Sequence, residues 1–212
     1  MKVASSPTGP SPFVVVVDDD PGVRDALDSL FRSVGMSTYL FGSPAEMIQA
    51  SLPQSPGCII LDVRLPGVSG LDFQSQMTKQ GIELPVVFMT GHGDIPMTVR
   101  AMKAGAVDFL SKPFRDQDML DAVTSAIERD RVRRVERTES DRLRAEYETL
   151  TPREREVMGH VVAGLMNKQV AGVIGLSEIT VKIHRGNVMR KMGVRTLADL
   201  VRKAEALGIS GR

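Results

Sequence analysis

The chain carries a single cysteine, Cys58, among 212 residues, which excludes an internal disulfide. Cys58 lies inside an apolar run and reads as a packing residue. No apolar stretch reaches the roughly 18 residues of a membrane-spanning helix, which excludes a helical membrane protein. Residues 1–12 hold serine and proline but no apolar signal core, so they read as a disordered tail and not an export signal. A cytoplasmic location is the expectation. There is also no internal repeat and no long low-complexity tract.

What is present is ordinary in amount and uneven in placement. Hydrophobic residues make up 42% and charged residues 25%, as in soluble globular proteins. The length allows two small domains, each with its own core. The net charge of +1 conceals an asymmetry: residues 1–130 hold 10 Lys+Arg against 16 Asp+Glu, and residues 131–212 hold 17 against 10. A basic half points to nucleic acid as a partner.

In the first half, apolar runs end in chemistry. Val14-Val15-Val16-Val17 leads into Asp18-Asp19-Asp20, and Ile59-Ile60-Leu61 leads into Asp62. Pro85-Val86-Val87-Phe88-Met89 delivers Thr90, and Val107-Asp108-Phe109-Leu110 precedes Ser111-Lys112-Pro113. Strand-like and helix-like stretches alternate five times, the pattern of βαβ units. The expected fold is a doubly wound (βα)5 parallel sheet, whose strand C-termini share the ligand-binding edge. That edge would gather carboxylates, a hydroxyl and an ammonium. Clustered carboxylates call for a hard divalent cation, Mg2+ or Mn2+; the ammonium calls for an anion. Together they suggest a phosphoryl group carried on a carboxylate. Asp20 precedes Pro21 and reads better as a helix N-cap than as a metal ligand. Ser43-Pro44 and Ser69-Gly70 open two further helices, with a turn at Pro66-Gly67.

The segments Val17-Asp18-Asp19-Asp20, Leu61-Asp62-Val63-Arg64-Leu65-Pro66-Gly67-Val68-Ser69-Gly70, Met89-Thr90-Gly91-His92-Gly93 and Ser111-Lys112-Pro113-Phe114 resemble those of bacterial response-regulator receiver domains. The resemblance implies that Asp62 accepts the phosphoryl group. It implies that Asp18 and Asp19 organise Mg2+, with Asp19, Asp62 and the Arg64 carbonyl as direct ligands. It assigns Thr90 as the hydroxyl that moves toward the phosphoryl oxygens and Lys112 as their cation, with the Lys112–Pro113 bond often cis. Thr90 lies 28 residues after Asp62 and 22 before Lys112. Phe109 matches the rotating switch aromatic; core packing is the alternative. His92 reads as a solvent-exposed or subdomain-contact residue.

Residues 129–148 are dense in charge and lack Gly and Pro, so they read as an extension of the fifth helix or a separate linker helix. The cluster Arg131-Arg133-Arg134 reads as a solvated face, with DNA contact as the alternative. Thr151-Pro152-Arg153-Glu154 has the form of a helix start, and four helices follow to the chain's end. The second and third form a helix-turn-helix pattern joined by Gly175-Leu176-Ser177. Leu150-Thr151-Pro152-Arg153-Glu154-Arg155-Glu156-Val157, Met166-Asn167-Lys168-Gln169-Val170-Ala171 and Thr180-Val181-Lys182-Ile183-His184-Arg185-Gly186-Asn187 resemble the LuxR-type domain. The whole chain resembles the FixJ type within the FixJ/NarL regulators. The resemblance puts Lys182, Ile183 and Gly186 in the groove-facing set and Lys168, Thr180, Arg185 and Asn187 among backbone contacts. Arg190 and Lys191 lie on or beside the same helix. Gly186 departs from relatives with a longer polar side chain there and permits close approach. His184 reads as a packing residue, and Val181, Val188 and Met192 as core. Leu197, Leu200 and Val201 are either dimer contacts or intradomain packing.

The expected organisation is a tail over residues 1–12, a receiver over 13–130, a helical linker over 131–148 and a DNA-binding domain over 149–212. The expected function is a two-component response regulator, not an enzyme beyond self-phosphorylation from small donors and self-dephosphorylation. A sensor histidine kinase, promoter DNA, RNA polymerase and a second copy formed on phosphorylation are the expected partners. Two rivals stand beside it. An aspartyl-phosphate hydrolase would commonly need an acid/base Asp two residues after Asp62, where Arg64 stands. A phosphorylation-independent DNA-binding protein would not need the acidic and lysine set.

Overall fold

A computed structural model describes residues 11–91 and 95–209. Residues 1–10 of the expected tail over 1–12 and the loop residues His92 and Gly93 lie outside the described residues. The described chain divides into two compact units, the first ending at Arg134 and the second beginning at Val135.

The first unit is built on β1 (Phe13–Val17), β2 (Ser37–Phe41), β3 (Gly57–Asp62), β6 (Val86–Thr90) and β7 (Asp108–Ser111). They form one parallel sheet in the order β2-β1-β3-β6-β7. The connections carry α1 (Pro21–Ser33), α2 (Pro44–Gln49), α3 (Gly70–Lys79) and α4 (Ile95–Lys103), and α5 (Asp116–Glu148) follows β7. The central strands read as unbroken apolar runs because both faces are covered. Alternation then sends Val15, Val17, Ile59 and Leu61 to one core and Val14, Val16, Cys58 and Ile60 to the other. Burial pushes the Cys58 thiol far above its ordinary pKa, with the Asp130 charge adding to it, so the thiol stays inert packing.

The helix starts follow the expected chemistry. Asp20 caps α1 by accepting from the Gly22 amide, Ser43 caps α2 and Ser69 caps α3. One element is additional: β4 (Arg64–Leu65) and β5 (Val68–Ser69) pair antiparallel about Pro66-Gly67. Gly67 has φ of 83°, a left-handed conformation that favours glycine. Two-residue strands leave too short a pattern to read in advance.

α5 is a single unbroken helix, which decides between the two readings of the charged stretch. Its anchor is Asp130, fully buried. One Asp130 carboxylate oxygen accepts from the Gly57 amide at 3.0 Å and from Arg134 Nε at 2.7 Å. Arg133 donates to the other and to the Glu83 carbonyl. The arginine cluster is therefore divided: Arg131 is exposed, while Arg133 and Arg134 are half-buried and pair with a buried carboxylate.

The second unit packs the end of α5 with α6 (Pro152–Val162), α7 (Asn167–Ile174), α8 (Glu178–Lys191) and α9 (Leu197–Ala206). Val157, Met158, Val161, Val170, Val181, Val188, Met192 and Leu200 form the core, with Leu143 and Tyr147 against it. Leu200 is wholly buried, so intradomain packing accounts for it; Leu197 is exposed. α6 opens with a full capping box between Thr151 and Glu154. The Glu154 carboxylate also accepts from Lys191 Nζ at 2.6 Å, and Lys191 donates to the Thr149 carbonyl at 2.9 Å.

Two outcomes follow from these buried carboxylates. Asp130→Ala leaves the Gly57 amide unpartnered, and chemical denaturation is expected to show a loss of about 1–3 kcal/mol. Burial opposes the Glu154 charge, but Lys191 and the Thr151 amide outweigh it and hold the carboxyl below its ordinary value of 4.5. A depressed carboxyl stabilises the fold above its unfolded pKa, and that contribution is lost as pH falls through the folded value. Thermal melts of the wild type are expected to drop below pH 4.5 more steeply than those of Glu154→Gln.

Candidate functional site

The sheet brings the expected acidic residues to one edge. β1 ends at Val17, beside Leu61 of β3, so Asp18 and Asp62 emerge from adjacent strands. Asp62 in turn lies beside Met89 of β6, and Thr90 beside Ser111 of β7. Parallel strands pointing one way thus deliver Asp18, Asp62, Thr90 and Lys112 to the same crevice, at the switch point where the connections leave in opposite directions.

Lys112 organises the crevice. Its Nζ donates to Asp18 Oδ2 at 2.6 Å and to Asp62 Oδ2 at 2.7 Å. Asp18 and Asp62 are buried and Asp19 is exposed. Burial raises the Asp18 carboxyl above its ordinary pKa, with Asp62 adding to it against the pull of Lys112 and the Asp20 amide. Burial alone would lower Lys112; the hydrogen bonds and charges of Asp18 and Asp62 outweigh it and hold the ammonium above its ordinary value. The lysine therefore stays charged.

Carboxylate oxygens of Asp18, Asp19 and Asp62 all lie within 4.8 Å of one another. A cation with oxygen ligands at roughly 2.0–2.6 Å fits among atoms so spaced. Asp20 stands outside this set, because its Oδ1 accepts from the Gly22 amide at 2.7 Å. Asp62 Oδ1 accepts from the Arg64 amide at 2.9 Å, which orients the carboxylate, while the Arg64 side chain is exposed. Gly70 stands so near that a Cβ there would lie 2.4 Å from the Asp62 carbonyl oxygen. The close packing of α3 behind the acceptor therefore requires glycine.

Thr90 is wholly buried, and its carbonyl accepts from the Lys112 amide at 2.7 Å. The Lys112–Pro113 bond is cis. Phe109 is half-buried, with its ring centroid 6.4 Å from that of Phe88.

In the second unit, α7 and α8 meet at Gly175, which has φ of 68°, and Ser177 caps α8 through the Thr180 amide at 3.1 Å. Val181, Val188 and Met192 are buried as expected. Lys168, Lys182, Ile183 and Gly186 are exposed. Thr180, Arg185 and Asn187 are half-buried and have partners within the unit. The Thr180 hydroxyl lies 2.8 Å from Ser177 Oγ. Arg185 donates to Asn167 Oδ1 at 3.1 Å, and Asn187 Oδ1 accepts from Arg190 at 3.5 Å. Lys191 is turned inward onto Glu154 and does not extend the exposed cationic face. His184 has its Nδ1 buried without a hydrogen-bond partner among the described residues. Ile179, one residue before the LuxR-like segment that begins at Thr180, is 74% exposed. Its only signal in the sequence is its place one helical turn before Ile183.

Residues 14–124 match the response regulator receiver domain, and residues 148–204 match the bacterial regulatory proteins of the luxR family. Nodulation protein W of Bradyrhizobium diazoefficiens is 59% identical over 198 residues, which cover 93% of this chain and 87% of that protein. Response regulator protein TodT of Pseudomonas putida is 45% identical over 194 residues, covering 92% of this chain and 86% of that one. Among solved structures, the response regulator StyR matches with a TM-score of 0.84 and 46% identity, over 92% of this chain and 99% of that one. Full-length FixJ of B. japonicum matches with a TM-score of 0.56 and 38% identity, over 96% of this chain and 98% of that one. The chain belongs to the response regulators, with an N-terminal receiver domain and a C-terminal DNA-binding domain of the LuxR type, in the line that includes FixJ.

Proposed function

We propose that Asp62 accepts a phosphoryl group from a sensor histidine kinase, and that this controls dimerisation and promoter binding. The observation that carries the reading is the Lys112 ammonium set between Asp18 and Asp62, with Asp19 within reach of both carboxylates. A structural ion pair needs one carboxylate, whereas this site holds three.

In the transfer, an Asp62 carboxylate oxygen forms the new O–P bond as the N–P bond on the kinase histidine breaks, its electron pair returning to that nitrogen. Asp18, Asp19, Asp62 and the Arg64 carbonyl would hold Mg2+ or Mn2+, which neutralises phosphoryl oxygens so that a carboxylate can approach a polyanion. The Arg64 amide orients Asp62 through Oδ1. Lys112 gives up its bond to Asp62 and meets the phosphoryl oxygens as a point charge. Thr90 then turns toward the same oxygens and Phe109 follows, biasing a two-state receiver toward its dimerising form. In the second unit, Lys182, Ile183 and Gly186 face the major groove, and Lys168, Thr180, Arg185 and Asn187 contact the backbone. Recruitment of RNA polymerase at the promoter completes the reading.

Acetyl phosphate with Mg2+ is expected to add one phosphoryl mass to the wild type and none to Asp62→Asn, with a shift from monomer to dimer by light scattering. A wild type that takes up no phosphoryl group from either acetyl phosphate or a phosphorylated kinase would sink the reading. Lys112→Met leaves Asp18 and Asp62 facing each other without a counter-charge, and a loss of about 3–5 kcal/mol is expected in metal-free buffer. Since added cation replaces the missing charge, Mg2+ is expected to raise the Tm of Lys112→Met more than that of the wild type.

A further inference from the structure

One face of α8 is exposed along most of its length. Ile179, Ile183, Gly186 and Arg190 recur at i, i+4, i+7 and i+11, which places them on one side of a helix. All four are exposed. They lie opposite Val181 and Val188, which are buried in the core. The N-terminal half of this stripe is apolar, with Ile179 at 74% and Ile183 at 59% exposure. Two β-branched side chains standing on consecutive turns in water do nothing for the fold.

Gly186 continues the stripe, and the fold does not explain it either. A Cβ there would meet nothing within 4 Å, and the backbone is ordinary helix. Glycine inside a helix is less stable than alanine, so nothing within the domain favours it. What it provides is backbone open to close approach from outside. Arg190 closes the C-terminal end of the stripe, Lys182 lies beside Ile183 on the same helix, and Lys168 of α7 is exposed as well. Residues 151–212 as a whole hold 11 Lys+Arg against 5 Asp+Glu. The occupant must therefore be polyanionic at its rim and offer apolar points at its centre.

Duplex DNA has that chemistry. Its phosphates line the groove, and within the major groove thymine alone of the four bases presents a methyl group. Isoleucine has no donor or acceptor for any base edge, so its contact favours thymine over cytosine by shape and desolvation. Four residues of helix advance roughly 6 Å, about two base steps of roughly 3.4 Å. We propose that Ile179 and Ile183 are specificity-determining residues that read thymine C5-methyl groups about two base pairs apart, with Gly186 letting the helix backbone settle against the base edges. This rests on the DNA-binding reading above and names the chemistry of its selectivity.

The test uses the full chain, treated with phosphodonor, to select from a random duplex library. Each thymine of the enriched half-site is then replaced by deoxyuridine, which removes only the methyl. One lost methyl contact is expected to weaken binding about fourfold. Ile179→Ala and Ile183→Ala are each expected to bind the thymine and deoxyuridine versions of one position equally. Lys168→Ala should weaken both versions alike. Gly186→Ala should melt no lower than the wild type while binding more weakly, a split that a packing role would not produce. An enriched sequence indifferent to deoxyuridine, or isoleucine variants that still discriminate, would overturn this inference and leave DNA binding standing. A library with no enriched sequence would overturn the DNA-binding reading, and this inference with it.

Discussion

A lysine held between two carboxylates is the constraint on which the first unit turns. Asp18 and Asp62 emerge side by side from β1 and β3, and at neutral pH their charges repel. Lys112 resolves that repulsion from across the sheet, 94 residues after one partner and 50 after the other. The ion pairs are short and shielded, so removing the lysine would expose a conflict that burial makes costly. The same arrangement makes the site responsive. A cation placed among Asp18, Asp19 and Asp62 would take over part of what Lys112 balances, and a phosphoryl group formed on Asp62 would draw the ammonium toward its own oxygens. The side chain that stabilises the resting site is thereby the one a new charge would redirect.

Carboxylates clamped by cations, two of them buried, recur away from the site and do a different job. Asp130 ties the Gly57 amide at the start of β3 to Arg133 and Arg134 of α5. Glu154 closes the start of α6 while holding Lys191 at the end of α8. Glu146 near the end of α5 accepts from Lys203 of α9, which also donates to the Met192 carbonyl. Each clamp spends charge on packing, and so removes Arg133, Arg134 and Lys191 from the cations that face outward. The N-terminal half of the outer face of α8 is more apolar than the residue count suggests: Ile179 and Ile183 are exposed there, with Lys182 beside them and Arg190 at the far end.

Much of this was legible in advance. The apolar runs ending in Asp18, Asp62, Thr90 and Lys112 already implied a parallel sheet with one functional edge, because buried strands admit polar residues only where they emerge. Helix starts at Asp20, Ser43, Ser69, Thr151 and Ser177 were readable because capping depends on three or four neighbouring residues. The β4–β5 hairpin was not, since two-residue strands carry no periodicity. Nor was the inward turn of Lys191, which looks like any other exposed cation at the end of a recognition helix until Glu154 is brought beside it. Leu200 stood equally for dimer contact or core, and its complete burial assigns it to the core.

The sequence by itself determined the order of elements, the two-part division into acidic and basic halves, and the residue types that reach the C-terminal edge of the sheet. These depend on local pattern and on the alternation of strand and helix. Tertiary structure alone decided which charges meet: that Lys112 spans Asp18 and Asp62, that Asp130 is buried beneath two arginines, and that Ile179 faces solvent while Val181 does not. The physical reason is that a charge or an apolar side chain acquires its energy from what surrounds it, and those surroundings come from segments distant in the chain.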